Sequence, residues 1–332
     1  MGVEITGIIV NFVGRISLNL KIKYKNMLPI HFAPLQGYTD NAYRNVHDAI
    51  FGGVEAYYTP FIRIERGELR KKDIREALPE NDETGKLVPQ IIVRDAEEFY
   101  FLVEKLKEMG HKRIDVNMGC PFPLQARKGR GAGILSNLDK AKEVLEAING
   151  VTDVDFSIKM RLGNENVDDC FALLPALNAT RLTHITMHPR IATQQYKGEV
   201  DMERFKAFLE ACNHDVIYNG DITSIEDIER IERDYSQVKG VMIGRGLLMR
   251  PSLAKEYAKG ENLGDDKLLK MVMRMHDELL DEYSQTLQGD GHLLMKMKTY
   301  WEHLEGVIGH KQYKLIKKAV NMMKYNAAIA MI

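Results

Sequence analysis

The chain has 332 residues and a net charge of −1, with 45% hydrophobic and 28% charged residues. That length is enough for one large domain and a smaller one around a substantial core, and the composition is that of a globular protein. Three cysteines without a pairing pattern (Cys120, Cys170, Cys212) argue against a disulfide framework and point to a reducing cytoplasm. No metal is expected, because no C-x-x-C or H-E-x-x-H spacing occurs. No run of eighteen apolar residues exists to span a membrane.

In chain order, residues 1–26 come first. Ile5 to Leu20 is apolar and β-branched, is interrupted by Asn11 and Arg15, and is followed by no small-residue cleavage site. Met1-Gly2 with Thr6 matches the short myristoylation pattern by chance. These residues are expected to be an N-terminal extension able to form a hairpin. From His31 onward, short β-rich runs alternate with longer helical segments. The runs are His31–Leu35, Val54–Tyr58, Val88–Val93, Arg113–Met118, Phe156–Met160, His184–Met187, Val216–Tyr218 and Gly240–Ile243. Helices are expected over Asp95–Met109, Leu138–Ile148, Asp201–Ala211 and Ser224–Glu232, with capping-box-like starts at Asp95 and Ser224. Eight strand–helix units predict a parallel (β/α)8 TIM barrel over residues 27–260. A doubly wound sheet would want Gly-x-Gly-x-x-Gly after the first strand, where this chain has Gln36-Gly37-Tyr38-Thr39-Asp40.

Residues 261–332 read as an appended helical domain. Heptad-like apolar positions run over Asp265–Tyr283 and Tyr300–Met323, broken at Gln288-Gly289-Asp290-Gly291. The methionines here (Met271, Met273, Met275, Met295, Met297, Met322, Met323) are expected to fill the core. From His292 to the end, seven lysines face two glutamates, a net of +5, which leaves −6 on the preceding 291 residues. That asymmetry points to an anionic partner or to a solvated lysine-rich helix face.

The sequence is organised around Asp115-Val116-Asn117-Met118-Gly119-Cys120-Pro121. Its alternating apolar residues form a buried strand that Gly119 and Pro121 terminate, which puts Cys120 at the strand's C-terminal end. In a barrel, that edge carries the site. The other strand ends there bring Pro34, Gln36, Gln90, Asn117, Lys159, Arg161, His188, Arg190, Asn219, Asp221, Gly244 and Arg245. Cations beside the glycine turns Asn219-Gly220-Asp221 and Gly244-Arg245-Gly246 suit a phosphate. A hydrolytic role for Cys120 would need an oriented base, and His188 is a candidate. The phosphate features and the Gln/Asn/Lys set point instead to a bound flavin, beside which a thiol can protonate a carbon that receives hydride.

The order Ala33-Pro34-Leu35-Gln36-Gly37, Asn117-Met118-Gly119-Cys120-Pro121, Lys128-Gly129 with Gly131-Ala132-Gly133, Lys159-Met160-Arg161, His188-x-Arg190, Asn219-Gly220-Asp221-Ile222 and Gly244-Arg245-Gly246 resembles the tRNA-dihydrouridine synthase family from about His31 to the end. The resemblance implies FMN in a (β/α)8 barrel, a helical tRNA-binding domain, NADPH or NADH as reductant, and reduction of C5=C6 of uridine with Cys120 as general acid. It implies that Pro34, Leu35 and Gln36 line the isoalloxazine, that Gln90 and Lys159 hydrogen-bond its polar edge, and that Asn117 helps seat the flavin and the target base near Cys120. His188, Asn219, Gly220, Asp221, Gly244 and Arg245 would take the ribityl chain and phosphate. Arg127, Lys128, Arg130, Arg161, Arg190, Lys311, Lys314, Lys317 and Lys318 would meet RNA, and the protein would be a monomer. Leu35, Gln36, Pro189 and Met249-Arg250-Pro251 depart from the usual pattern and bear on subgroup. The alternatives are a flavin-dependent reductase of a free pyrimidine or similar small compound, and an RNA-binding relative without activity.

Overall fold

A computed structural model describes residues 27–332; the hairpin expected within residues 1–26 lies outside them. The main sheet has nine parallel strands: β1 (Ile30–Phe32), β2 (Ala56–Tyr58), β3 (Leu87–Val88), β4 (Gln90–Ile91), β5 (Arg113–Met118), β6 (Asp155–Gly163), β7 (Ile185–Ile191), β8 (Val216–Tyr218) and β9 (Gly240–Ile243). They pair in the order β3-β2-β1-β9-β8-β7-β6-β5-β4. The two ends of that order are separated in sequence by Pro89 alone. Proline has no N–H for a ladder, and it splits the expected strand Val88–Val93 into halves that pair with different neighbours. With the halves joined, the sheet is a closed (β/α)8 barrel of eight staves.

Two staves run past their expected ends. β6 continues to Gly163 and β7 passes through Pro189 to Ile191. Arg161 pairs with His188 but Gly163 with Ile191, so β7 carries one extra residue opposite β6. Such a bulge re-aims the side chains around it, here His188 and Arg190. The capping expected from sequence is present. Asp95 accepts the Glu98 N–H at 3.0 Å, and Ser224 exchanges bonds with Asp227 at 3.1 and 3.2 Å.

The helical part comprises Asp265–Thr286, Asp290–Trp301, Glu305–Ile308, His310–Lys318 and Met322–Ile329. The single run expected over Tyr300–Met323 is therefore broken. Gly309 has a φ of 81°, and Asn321 caps a new helix by accepting the Lys324 N–H at 2.9 Å. Fully buried Trp301 centres this unit and donates to the Tyr325 hydroxyl at 2.9 Å, which also bonds His276 at 2.8 Å. Met275 and Met297 fill the core as expected, whereas Met295 and Met323 stand in solvent because they lie on the outward faces of short helices.

One hydrophobic core runs from the barrel's outer layer into this unit, and Asp265–Thr286 packs along Asn41–Ile50. Asp40 is the junction. It caps Asn41–Ile50 through the Tyr43 N–H at 3.1 Å, accepts the Tyr283 hydroxyl at 2.8 Å and pairs with Lys296 at 2.7 Å.

Candidate active site

The loop after β1 is braced from beneath. Buried Arg44 donates to the Thr39 carbonyl at 2.8 Å and to Glu76 at 3.0 Å, while Glu76 accepts the Asn41 N–H at 2.7 Å. Above this brace, Pro34, Leu35 and Gln36 form one wall of a cavity of about 1160 Å³ at the C-terminal mouth of the barrel. All twelve residues expected at a cofactor line it, together with Cys120 and Arg161.

Cys120 is half-buried on the turn after β5. Asn117 fixes that turn, its Oδ1 accepting the N–H groups of Gly119 and Cys120 at 3.0 and 2.8 Å. Gly131 lets the following loop close against it: φ is +60°, and a Cβ there would sit 2.8 Å from the Cys120 Cβ. Burial pushes the Cys120 thiol up, although the Phe122 N–H, Arg161 and Lys159 pull the other way. It is therefore a protonated thiol at neutral pH rather than a resting thiolate.

Lys159, midway along β6, has no hydrogen-bond or ion-pair partner among the described residues. Burial first and Arg161 second bring its ammonium down to about 8. His188 accepts from Arg190 at 3.2 Å, and burial together with four surrounding cations holds its pKa well below the ordinary value. It is therefore a neutral imidazole. Asp221, in the left-handed region at φ 42°, is held by Arg190 and by Arg245 at 3.0 Å. Asn219 donates to the Met242 carbonyl at 2.7 Å, which ties the seventh stave to the eighth.

Three residues expected at RNA lie inside the protein. Arg130 is buried in an ion pair with Glu98, and Arg190 is 1% exposed and paired with Asp221. Arg161 is held by the Ile191 and Gln195 carbonyls at 3.0 and 2.8 Å and faces the cavity. A guanidinium needs several acceptors to be buried, and these three have them. Arg127, Lys128, Lys311, Lys314, Lys317 and Lys318 are exposed.

Sequence reading missed Tyr196, which lies under the guanidinium groups of Arg161 and Arg245 at 5.5 and 4.6 Å. It also missed exposed Phe122 and Leu124 beside Cys120, and His303, through which the helical part reaches the cavity. Tyr196 sits beyond a strand end in a loop without motif; the Phe122-Pro123-Leu124 run after Cys120 was the available signal.

A family model described as dihydrouridine synthase (Dus) matches residues 31–330. The chain belongs to the dihydrouridine synthase family. It is therefore a flavin-dependent oxidoreductase in a family that acts on tRNA. It is 28% identical to a tRNA-dihydrouridine synthase B of Pasteurella multocida over 68% of this chain and 67% of that one. It is 27% identical to a probable tRNA-dihydrouridine synthase 2 of Bacillus subtilis over 76% of this chain and 78% of that one. The barrel is also similar to the old yellow enzyme of Trypanosoma cruzi, with a TM-score of 0.51, 10% identity, and coverage of 71% of this chain and 89% of that one. At that identity the likeness concerns the fold. Among the described residues no cluster of three or more His, Cys, Asp or Glu could hold a metal ion, and no helix is long and apolar enough to cross a membrane.

Proposed function

We propose that the protein is an FMN-dependent tRNA-dihydrouridine synthase that reduces C5=C6 of specific uridines with NADPH. Cys120 serves as proton donor, and the enzyme works as a cytoplasmic monomer. The observation that carries this reading is a protonated thiol sharing one cavity with an unpartnered lysine ammonium, fixed amides and a cationic rim. The names of the relatives support uridine in tRNA as the substrate.

The donor set fits FMN. The Lys159 ammonium and the amides of Gln90 and Asn117 suit the polar edge of the isoalloxazine, with Pro34, Leu35 and Gln36 against its plane. His188, Asn219, Gly220, Asp221, Gly244 and Arg245 would hold the ribityl chain and phosphate. Bound there, FMN would supply the redox chemistry, with NADPH as the hydride source and C6 of the uracil as the acceptor. Cys120 delivers its proton to C5, so that hydride and proton together add two hydrogens across the double bond. The thiolate left behind is stabilised by the charges of Arg161, Lys159 and Arg63, which favour it. Arg161 faces the base rather than the tRNA backbone.

A uridine must leave its stack to reach Cys120. Phe122, 54% exposed at the rim, offers a face on which a base can stack, and Arg127 and Lys128 beside it suit phosphates. Residues 261–332, with Lys311, Lys314, Lys317 and Lys318, would supply the rest of the tRNA clamp. Mapping dihydrouridine across total tRNA from a strain lacking the gene tests the reading. Loss at discrete positions, restored by the intact gene, is expected, and an unchanged map would overturn it.

A further inference from the structure

Beneath Cys120 lies a chain of side-chain hydrogen bonds that runs in one direction. The N–H groups of Gly119 and Cys120 donate to Asn117 Oδ1 at 3.0 and 2.8 Å. Asn117 Nδ2 donates to Gln90 Oε1 at 2.8 Å, and Gln90 Nε2 donates to Asp115 Oδ2 at 2.7 Å. Ser157 donates to the other Asp115 oxygen at 2.6 Å. Asp115 and Gln90 are fully buried, and Ser157 and Asn117 nearly so, so water cannot substitute for a missing partner.

The direction is set at the ends. Two backbone N–H groups can only donate, so Asn117 must turn its oxygen to them and its nitrogen to Gln90. Gln90 must then offer Asn117 its oxygen, which leaves its nitrogen facing residue 115. With two amides between two donors at one end and a single residue at the other, that residue must be an acceptor.

We propose that Asp115 is a positioning residue for proton delivery, acting through Gln90 and Asn117 to lock the Cys120 turn. This rests on the reading of Cys120 as the proton donor. Asp115 touches neither the cavity nor its expected contents. It fixes which way two cavity-facing amides present their oxygen and nitrogen, and hence where the thiol points. An apolar residue of similar size would fill the same space but leave the Gln90 amide free to turn over. That would put nitrogen against nitrogen at Asn117, or nitrogen against the two backbone N–H groups.

The same logic gives a test. Asparagine at 115 can turn its oxygen to Gln90 only if its nitrogen finds an acceptor, and Ser157 can rotate its hydroxyl to become one. Asp115→Asn alone and Ser157→Ala alone should therefore preserve the direction, whereas the double variant loses it. The readout is the alkylation rate of Cys120 by iodoacetamide in the flavin-loaded protein, followed on the Cys120 peptide by mass spectrometry and as a function of pH. Each single variant should stay within about twofold of the parent, while the double variant and Asp115→Leu should shift roughly tenfold, the size expected for one unmatched buried polar group. A double variant that folds and alkylates at the parental rate overturns the proposal. Should the double variant not fold, Gln90→Met interrupts the chain at its middle without touching Asp115 or Ser157. The same shift is expected there, and a parental rate is equally fatal. Alkylation needs no RNA, so this outcome stands apart from that of the dihydrouridine map.

Discussion

The cations of this protein fall into two populations. At the barrel mouth, Arg161 and Arg190 are buried and held by named acceptors, and Lys159 is desolvated enough to sit near 8. On the helix His310–Lys318, four lysines stand in solvent with no carboxylate partner among the described residues. A fixed, desolvated charge can discriminate among atoms of a small ligand, because its interactions are strong and its geometry is set in advance. A solvated lysine on a flexible stem adheres to any phosphate within reach, and salt removes its effect. In the proposed reading, the barrel mouth carries the chemistry and this helix carries part of the adhesion.

The sharpest way to break that division is Cys120→Ala. It should keep flavin and NADPH oxidation while uridine reduction drops by about 10²–10⁴, the usual worth of a positioned general acid. Stopped-flow flavin reoxidation with tRNA reads it, and undiminished reoxidation would remove Cys120 from the reaction. Next is Arg44→Met beneath the β1 loop. It strands Glu76, whose side chain is 2% exposed, in the interior. Losing one partner of such a pair costs about 3–5 kcal/mol, to be read as a lower urea midpoint.

Acid should also distinguish the two regions. Buried His31 has its pKa lowered to about 3 and His47 to about 4, mainly by burial. Their folded pKa lies below the unfolded one, so between pH 6.5 and 4 the unfolded chain binds more protons and stability falls as pH falls. Asp115, pushed up to about 6 by burial, works in the opposite sense over the same range. His184, lowered to about 4, and His188 act in the same sense as these two histidines, so the histidines outweigh the carboxyl and a net loss of at least about 2 kcal/mol is expected from pH 7 to 5, measured by urea unfolding at each pH. The smallest effect belongs to the adhesive face. Replacing Lys311, Lys314, Lys317 and Lys318 by Ala should leave the urea midpoint alone and weaken tRNA binding. The slope of log affinity against log salt should decrease by up to about 3. An unchanged slope would mean that this face does not meet RNA.

Much of the barrel was legible in the sequence because each stave is a short apolar run ended by a polar or glycine residue. The ring of site residues followed, since strand ends converge whatever their exact lengths. What stayed hidden depended on tertiary neighbours. Arg130 and Arg190 look like surface cations until Glu98 and Asp221 are found beside them. Tyr196 has no periodicity to betray it, and the break at Pro89 is informative only once β2 and β5 are known to lie on either side of it. The helical run to Met323 appeared continuous because apolar spacing survives across Gly309, while backbone direction does not.

Asp40 closes the first turn of a barrel helix with one oxygen while receiving Tyr283 and Lys296 from the last quarter of the chain. A chain cut after Gly260 would therefore not release a finished catalytic unit. It would leave a carboxylate short of two partners, a bare apolar flank along Asn41–Ile50, and the loop bearing Tyr38 without its Glu302 anchor. Exchanging the C-terminal segment between relatives should succeed only when the donor brings its own equivalents of Tyr283 and Lys296.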